Sequence, residues 1–183
     1  MADESNENPP KGADEGPSPT ENVADPTAAE AGAQEDVPLT INGQYIKDLS
    51  FEAPTTPGIF ALIQQEPPNV NINVDVKAQG MQNNVFEVVL VIKAECKTGD
   101  SVAFILELSY GGVFTLNVPQ EDLETVLLVE CPRLLFPFAR NIVAEATRDG
   151  GFPPVMIGPV DFMAMFQNRQ SQEDAGAGPA AAG

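Results

Sequence analysis

The sequence predicts an α+β fold in which strands come first and helices follow. Apolar and polar residues alternate along the first part of the core, and beyond Gly111-Gly112 apolar residues recur at helical spacing. A short glycine-containing loop between two alternating stretches also indicates an antiparallel hairpin. The strand-like stretches are Leu39–Phe51, Asn71–Val76, Val85–Cys96 and Ser101–Tyr110.

The first strand carries two acidic side chains at even positions. Its residues divide into two sides, Lys47, Leu49, Phe51 and Ala53 on one and Ile46, Asp48, Ser50 and Glu52 on the other. Asp48 and Glu52 would lie roughly 13 Å apart, at about 3.3 Å per residue. That separation is too long for a shared proton or metal ion but suits a negatively charged sheet surface. A half-buried strand with a solvated outer side explains the same pattern, which leaves function open.

The third and fourth stretches, Val85–Cys96 and Ser101–Tyr110, have their apolar residues at even positions. Both apolar sides can face one core only if the loop between them has an odd number of residues. We therefore predict a three-residue loop, Thr98-Gly99-Asp100, in which glycine can adopt a left-handed conformation. A two-residue loop would turn one apolar side into water. The expected cross-strand pairs are Lys97 with Ser101 and Lys93 with Ile105.

Helical features occupy the second part of the core. Pro119–Asp122 predicts a helix start, because acidic side chains interact favourably with the N-terminus of a helix. Pro132 fits the first turn of a second helix that ends near Arg148–Gly151, where a glycine can cap it. Pro137 predicts a bend or a later start. A last helix, from about Asp161 to Gln170, turns Phe162, Met165 and Phe166 to one side.

The two ends of the chain differ in composition from the core. Residues 1–38 contain ten acidic residues, one basic residue and six prolines. Such a segment buries too little apolar surface to offset the roughly 1–2 kcal/mol per residue that ordering costs, so we predict disorder. Residues 171–183, rich in Ala and Gly, are predicted to form a second disordered tail. One domain would then span residues 39–170, which carry 15 acidic and 8 basic residues.

Composition also narrows the classes of function. The 183 residues include 27 acidic and 9 basic residues and no His, for a net charge of −18. This charge argues against nucleic acid and anionic membranes and favours basic partners. The lack of His removes the commonest general acid–base group and metal ligand, although chemistry based on carboxylates, Lys or Cys stays open. We find no metal-ligand spacing and no phosphate-binding loop, and expect no metal or cofactor.

The cysteines and the N-terminus predict a cytoplasmic protein. Cys96 and Cys131 stand alone, without the CxxC spacing of a redox or metal site. The acidic start of the chain is unlike a signal peptide, so both are expected to be buried, reduced thiols. No apolar run approaches the roughly 18 residues of a membrane span, and no membrane insertion is expected.

Two connections hold more apolar residues than loops usually do. They are Gly58–Ile63 and Gly151–Val160. Both loops could simply pack over the core. Alternatively, they could border an exposed apolar groove that binds another chain.

Three runs taken together resemble the SecB family of protein-export chaperones. They are Tyr45–Pro54; Val85–Leu90 with Phe104 and Gly111–Phe114; and Cys131–Arg140 through Gly151–Pro153 to Pro159–Phe162. The resemblance implies a four-stranded antiparallel sheet with helices packed on one face, in a cytoplasmic homotetramer built as a dimer of dimers. It implies no catalysis: the family keeps precursor proteins unfolded and passes them to the SecA ATPase.

The same resemblance implies two sets of binding residues. The SecA-binding positions would be Asp48, Glu52, Ile105 and Glu107, all on sides that strand parity turns outward. The client-binding groove would be lined by Phe60, Leu62, Ile63, Phe152, Met156, Ile157, Phe162, Met163 and Phe166. The methionines would give this groove a pliable surface.

This chain departs from the family pattern in places, and two other classes of function are compatible with parts of its sequence. Its crossover loop lacks Trp, its Ala/Gly-rich end differs from the expected SecA-contacting tail, and its acidic N-terminal segment is long. A carrier of small apolar ligands is an alternative, since a sheet-and-helix domain could enclose one. An enzyme is a further alternative, with Glu87 and Glu107 facing each other on the odd side of the strands.

Overall fold

Four antiparallel strands form one sheet in the computed structural model, which describes residues 38–176 with side chains through Gln172. They are β1 (Leu39–Glu52), β2 (Asn69–Gly80), β3 (Val85–Thr98) and β4 (Ser101–Leu116), in the order β1-β4-β3-β2. This confirms the α+β prediction. The predicted disordered N-terminal segment lies outside the described residues, except for Pro38.

Helices follow the sheet in the chain, and one short helix interrupts the first crossover. They are α1 (Ile59–Ile63), α2 (Gln120–Thr125), α3 (Cys131–Asp149) and α4 (Phe162–Gly176). A π-helical turn, Val126–Glu130, joins α2 to α3 without a break. Helix α3 packs across β3 and β4. None of the described helices is long and apolar enough to span a membrane.

Helix α4 begins where predicted, near Asp161, but extends further. Asp161 caps it, because its Oδ1 accepts a hydrogen bond of 2.9 Å from the backbone N–H of Ala164. The helix runs through Gly176, six residues beyond its predicted end near Gln170, and so includes the first six residues of the predicted C-terminal tail. The rest of that tail, residues 177–183, lies outside the described residues. Arg169 of α4 reaches the edge of the sheet and bonds Asp75 Oδ1 at 2.8 Å.

Alternation along β3 and β4 separates two faces of the sheet. The inner face carries their even-numbered side chains and meets α3, and the outer face carries most of their odd-numbered side chains. Strand β2 aligns with this pattern, since Val76 pairs with Leu90 and Ile72 with Ala94. The largest fully buried side chains of the inner face are Phe104, Phe114, Leu90, Ile92, Leu106, Leu108 and Val88.

Strand β1 contains a β-bulge at Lys47. The residues on either side keep their own partners, Ile46 with Tyr110 and Asp48 with Ser109. Lys47 thereby reaches the outer face, where its Nζ lies 2.8 Å from a carboxylate oxygen of Glu87. The prediction that Lys47 shares a side with Leu49 was wrong, because an ideal period of two does not allow for a bulge. The prediction that Asp48 and Glu52 share one face is confirmed.

The turn between β3 and β4 is shorter than predicted. It has two residues, Gly99-Asp100, because Thr98 pairs directly with Ser101. Gly99 has a φ of +56°, the left-handed conformation that favours glycine. The predicted three-residue loop, with Lys97 opposite Ser101, was therefore wrong.

A bulge at Ala103 restores the parity that the two-residue turn would otherwise break. Lys97 pairs with Val102 and Cys96 pairs with Phe104, so Ala103 has no partner on β3. Beyond this extra residue, the even-numbered side chains of both strands face inward. The bulge supplies the extra residue that had been assigned to the loop. As a result Lys93 lies opposite Glu107, and not opposite Ile105 as predicted.

Strand β4 continues through Gly111-Gly112, where the sequence had suggested its end. A Cβ on Gly111 would lie 2.9 Å from the Tyr45 ring, and one on Gly112 would lie 2.8 Å from a methyl group of Leu135. These glycines serve close packing of β1 and α3 against β4, and not a turn. The sequence pattern alone does not distinguish these two uses of glycine.

Candidate functional site

An open apolar groove lies between the inner face and the loop that follows α3. Its volume is about 310 Å³. It is bordered by the end of α1, the first half of β2 and residues 152–156. The lining residues are Ile63, Pro68, Val70, Ile72, Cys96, Phe104, Phe152, Pro153, Pro154, Val155 and Met156.

Phe152 holds the aromatic cluster beneath this groove. Its ring centroid lies 5.0 Å from that of Phe104, 5.3 Å from Phe60 and 6.2 Å from Phe51. Phe152 itself is 5% exposed, whereas Phe60 remains 38% exposed at the rim. Tilted ring pairs at these distances are favourable beyond the area they bury. The cluster therefore joins α1, the sheet and the loop after α3 into one groove floor.

Thr147 fixes the loop that forms the groove wall. Its hydroxyl oxygen accepts a hydrogen bond of 3.0 Å from the backbone N–H of Val155. The same hydroxyl group lies 2.9 Å from the carbonyl oxygen of Val143, to which it donates. The Phe152 N–H also bonds the Thr147 carbonyl oxygen at 3.1 Å. Thr147 thus connects the last turns of α3 to the wall at two points, through its hydroxyl group at Val155 and its backbone carbonyl at Phe152.

We expect Thr147→Val to lower the free energy of unfolding by about 1–3 kcal/mol, because the Val155 N–H loses its buried acceptor. Amide hydrogen exchange at Val155 should accelerate. Thr147→Ser keeps the hydroxyl and serves as the control, with exchange at Val155 near that of the original chain. Equal exchange rates at Val155 in all three proteins would contradict this role for Thr147.

The outer face presents a second candidate surface at the β1–β4 pair. Glu52 lies directly opposite Ile105, Ser50 opposite Glu107, and Asp48 opposite Ser109. The residues predicted to bind SecA therefore form one patch on neighbouring strands. Lys93 of β3 contacts the Glu107 carboxylate at 2.6 Å. Within the described part of the chain, Asp48 and Glu52 make no ion pair.

A separate polar cluster on the outer face links β1 to β3. The Glu87 carboxylate accepts hydrogen bonds from Lys47 Nζ, at 2.8 Å, and from the Tyr45 hydroxyl group. These two hydrogen bonds hold the pKa of Glu87 below its ordinary value. The bond to Glu87, together with partial burial, raises the pKa of Tyr45 to about 12. The cluster stabilises the bulge at Lys47, which positions Asp48 beside it.

The lowered pKa of Glu87 predicts a dependence of stability on pH. A depressed folded-state pKa contributes stability above the unfolded value of about 4.3, and that stability is lost as pH falls through the folded value. We expect Glu87→Gln to be less stable than the original chain near neutral pH, with the difference shrinking in acid. Urea unfolding from about pH 6 to pH 3, at one protein concentration, measures this. Glu124→Gln on exposed α2 is the control, and identical pH slopes for both variants would refute the prediction.

The sequence pattern of the family described as Preprotein translocase subunit SecB matches residues 32–173. The chain belongs to the SecB family. This membership makes it a protein-export chaperone and confirms the resemblance found in the three sequence runs.

Relatives named Protein-export protein SecB align with most of this chain. That of Acidiphilium cryptum is 54% identical over 153 residues, covering 75% of this chain and 92% of the relative. The relative from Rhodospirillum rubrum is 52% identical over 162 residues, which cover 87% of this chain and 99% of the relative. A SecB-like chaperone of Mycobacterium tuberculosis, solved in complex with a peptide from an antitoxin, has a TM-score of 0.58. It covers 67% of this chain and 91% of its own at 11% identity, and supports the SecB-like fold.

The structure separates the residues that the SecB resemblance assigned to client binding. Ile63, Phe152 and Met156 line the groove, and Met156 is 63% exposed. Phe60 lies at the rim against Phe152, and Leu62 is exposed on the same short helix. Of the nine residues predicted to line the client-binding groove, three therefore line it and two lie at or near its rim.

Four of the assigned residues lie away from the groove. Ile157 and Phe162 are buried in the core, where Phe162 packs edge-on against Phe136, and neither lines this groove. Met163 packs partly buried against the core. Phe166 borders a separate small void of about 30 Å³ near Leu128. Phe162, Met163 and Phe166 belong to α4, which turns its apolar side to the core. Ile157 lies in the loop before this helix.

Several groove residues were missed by the sequence prediction. Ile72 lies within the predicted strand Asn71–Val76 and Val70 directly precedes that strand with the same parity, so the β2 alternation could have found both. The remaining missed residues belong to β3, β4 and the connecting loops: Pro68, Cys96, Phe104, Pro153, Pro154 and Val155. Cys96 lies at the floor of the groove, and its burial raises the pKa of the thiol, which disfavours the reactive thiolate.

The carboxylate arrangement of the enzyme alternative is not present. Glu87 lies opposite Val113 and Glu107 opposite Lys93, so the two glutamates are six residues apart in register, roughly 20 Å. Each carboxylate is instead paired with a lysine. Residues 38–172 also hold no group of three or more acidic or cysteine side chains placed to bind a metal ion.

Proposed function

We propose that this SecB-family chaperone binds unfolded precursor proteins in its apolar groove and delivers them to the SecA ATPase in the cytoplasm. It acts by binding alone, without catalysis. The observation that carries the proposal is the open groove beside Met156 and Phe152, whose lining is apolar throughout. A non-native chain exposes the apolar side chains that such a surface can cover.

The energetics favour several grooves acting together. Burial of one large apolar side chain yields roughly 1.5–3 kcal/mol. Ordering the backbone of one bound residue costs about 1–2 kcal/mol. One groove therefore holds a short segment weakly, and repeated copies raise the affinity for a long client. The peptide held by the SecB-like chaperone of Mycobacterium tuberculosis supports polypeptide binding by this fold.

A homotetramer, built as a dimer of dimers, would supply these copies. Ile46, Leu49, Leu134 and Phe138 are large apolar side chains exposed on the protomer. Leu49 lies opposite Leu108 at the inner face, and the Phe138 ring stacks at 6.4 Å on that of Tyr110. The exposed strand and helix thus form one continuous apolar surface, which a second copy of the chain would cover.

Delivery to SecA would use the acidic patch of the outer face. Asp48, Glu52 and Glu107 lie with the apolar side chain of Ile105 on one face of two paired strands, where Glu52 is directly opposite Ile105. Such a surface suits a partner that presents basic residues around an apolar contact. The patch and the groove lie on opposite sides of the sheet, so one protomer can hold a client and a motor at once.

Aggregation of a slowly folding precursor tests the proposed holding activity. We expect the chaperone to suppress the light scattering of the aggregating precursor at about one tetramer per precursor. The mass of the chaperone in solution should equal that of a tetramer before the precursor is added, and that of a tetramer–precursor complex afterwards. The carrier alternative predicts instead a small apolar molecule that copurifies in defined ratio. Absence of suppression at stoichiometric tetramer would sink the proposal.

A further inference from the structure

All four lysines in the described part of the chain point to the outer face of the sheet. Lys47 is paired with Glu87 at 2.8 Å, Lys97 with Glu95 at 2.9 Å, and Lys93 with Glu107 at 2.6 Å. Lys77 has no ion-pair partner within the described residues. Only one of these pairs involves an acidic residue of the proposed SecA surface, and that residue is Glu107.

The position of Glu107 makes its pairing consequential. Ser50 lies directly opposite it in β1, so Asp48 and Glu52 are its two diagonal neighbours across the strands. Diagonal neighbours in an antiparallel pair are about 7–8 Å apart, within the roughly 10 Å over which exposed charges interact at 0.1 M salt. Three carboxylates thus repel one another, and Lys93 neutralises the central one.

Among the lysines that the structure describes, no other can take the place of Lys93 at this carboxylate. Lys47 is held by Glu87, which lies six residues, roughly 20 Å, from Lys93 along β3. Lys97 is held by Glu95, and Lys77 lies one strand further away, opposite Val89. Lys93 and Glu107 are 58% and 45% exposed, so an approaching cation can reach the same carboxylate.

We propose that Lys93 competes with the basic partner for Glu107 and so limits the strength of docking at the acidic patch. The inference rests on the proposed function, since it concerns the surface assigned to SecA. A partner cation must share the Glu107 carboxylate with the Lys93 ammonium group, which bonds its Oε1, or displace that group. Docking therefore gains less from Glu107 than from Asp48 and Glu52, which make no ion pair within residues 38–172. Lys93 thereby favours partners with enough positive charge to engage all three acids.

Binding of SecA to Lys93→Gln and Lys77→Gln tests the competition. Both variants remove one positive charge from the outer face, but only the first frees Glu107. An exposed ion pair contributes up to about 1 kcal/mol, which corresponds to a factor of about two to five in affinity. At about 50 mM salt we expect Lys93→Gln to bind SecA two- to fivefold more tightly, with a smaller change in Lys77→Gln. The gain should fade at about 300 mM salt.

The single variant Glu107→Gln and the double variant Lys93→Gln/Glu107→Gln complete a double-mutant cycle for SecA binding. We expect the gain from Lys93→Gln to vanish when Glu107 is already neutral. Unchanged or weaker binding by Lys93→Gln, an equal gain in Lys77→Gln, or a gain that persists without Glu107 would each overturn the inference.

A short oligolysine peptide serves as a second probe and separates the two proposals. A chain that fails to bind SecA but binds the peptide, with the same dependence on Lys93 and Glu107, retains the competition and loses the proposed delivery to SecA. SecA binding that is insensitive to Lys93 retains the delivery and loses the competition. Binding of neither probe overturns both.

Discussion

Reversal of charge at Asp48 or Glu52 is expected to weaken SecA binding about tenfold for each single variant and about a hundredfold for the pair. Each substitution by Lys replaces an acid of the outer face, which has no ion-pair partner among the described residues, with a cation that repels a basic partner. A coupling of about 1.4 kcal/mol per site accounts for the tenfold factor. Calorimetric titration with purified SecA at low salt measures it, and the loss should diminish as salt rises.

Glu124→Lys on helix α2 provides the matched control for this reversal. It makes the same change in net charge at an exposed position away from the outer face. We expect near-normal SecA binding by this control and near-normal client capture by Asp48→Lys and Glu52→Lys. Equal loss of SecA binding and client capture would contradict the assignment of these activities to separate surfaces.

Phe152→Ala is expected to lower the free energy of unfolding by about 3–5 kcal/mol. The substitution removes a buried ring that contacts Phe51, Phe60 and Phe104, and so leaves a cavity where three elements meet. Loss of the ring should also weaken client capture, because the groove floor loses its support. Urea unfolding at one protein concentration measures the stability, and Phe152→Leu should lose less because it keeps most of the apolar volume.

Met156→Ala separates the two consequences of changing the groove. Its side chain is 63% exposed at the groove wall, so the free energy of unfolding should stay within about 0.5 kcal/mol of the original. Client capture should still weaken, and more strongly for long clients that engage several protomers. This assignment of roles would be refuted if Phe152→Ala lowered the free energy of unfolding by less than about 1 kcal/mol, or if Met156→Ala captured clients normally.

Strand parity proved the most reliable guide from sequence to structure. It required both even-numbered sides of β3 and β4 to face one core, and they do. The same reasoning placed the odd residue in the loop, whereas the structure places it at Ala103 as a bulge. Hydrophobic burial determines which side faces inward but leaves the position of one extra residue to local twist and turn geometry.

Prediction of the groove was less complete for a related reason. Phe152 and Met156 were recognisable because a loop rarely carries so many apolar residues. Phe162 and Ile157 look the same in sequence, yet they are buried in the core. Composition reports that a side chain is apolar, and only the packing of α4 and its preceding loop decides whether it covers the core or faces solvent.

The sequence by itself determined the α+β order of elements, the two faces of the sheet and the family, because periodicity and motif order are properties of the chain alone. Tertiary structure decided the remainder. It brought Lys93 to Glu107 through a bulge, turned Lys47 outward, and left Met156 open while enclosing Phe162. Each of these outcomes depends on contacts between residues distant in the chain, whose geometry no local pattern records.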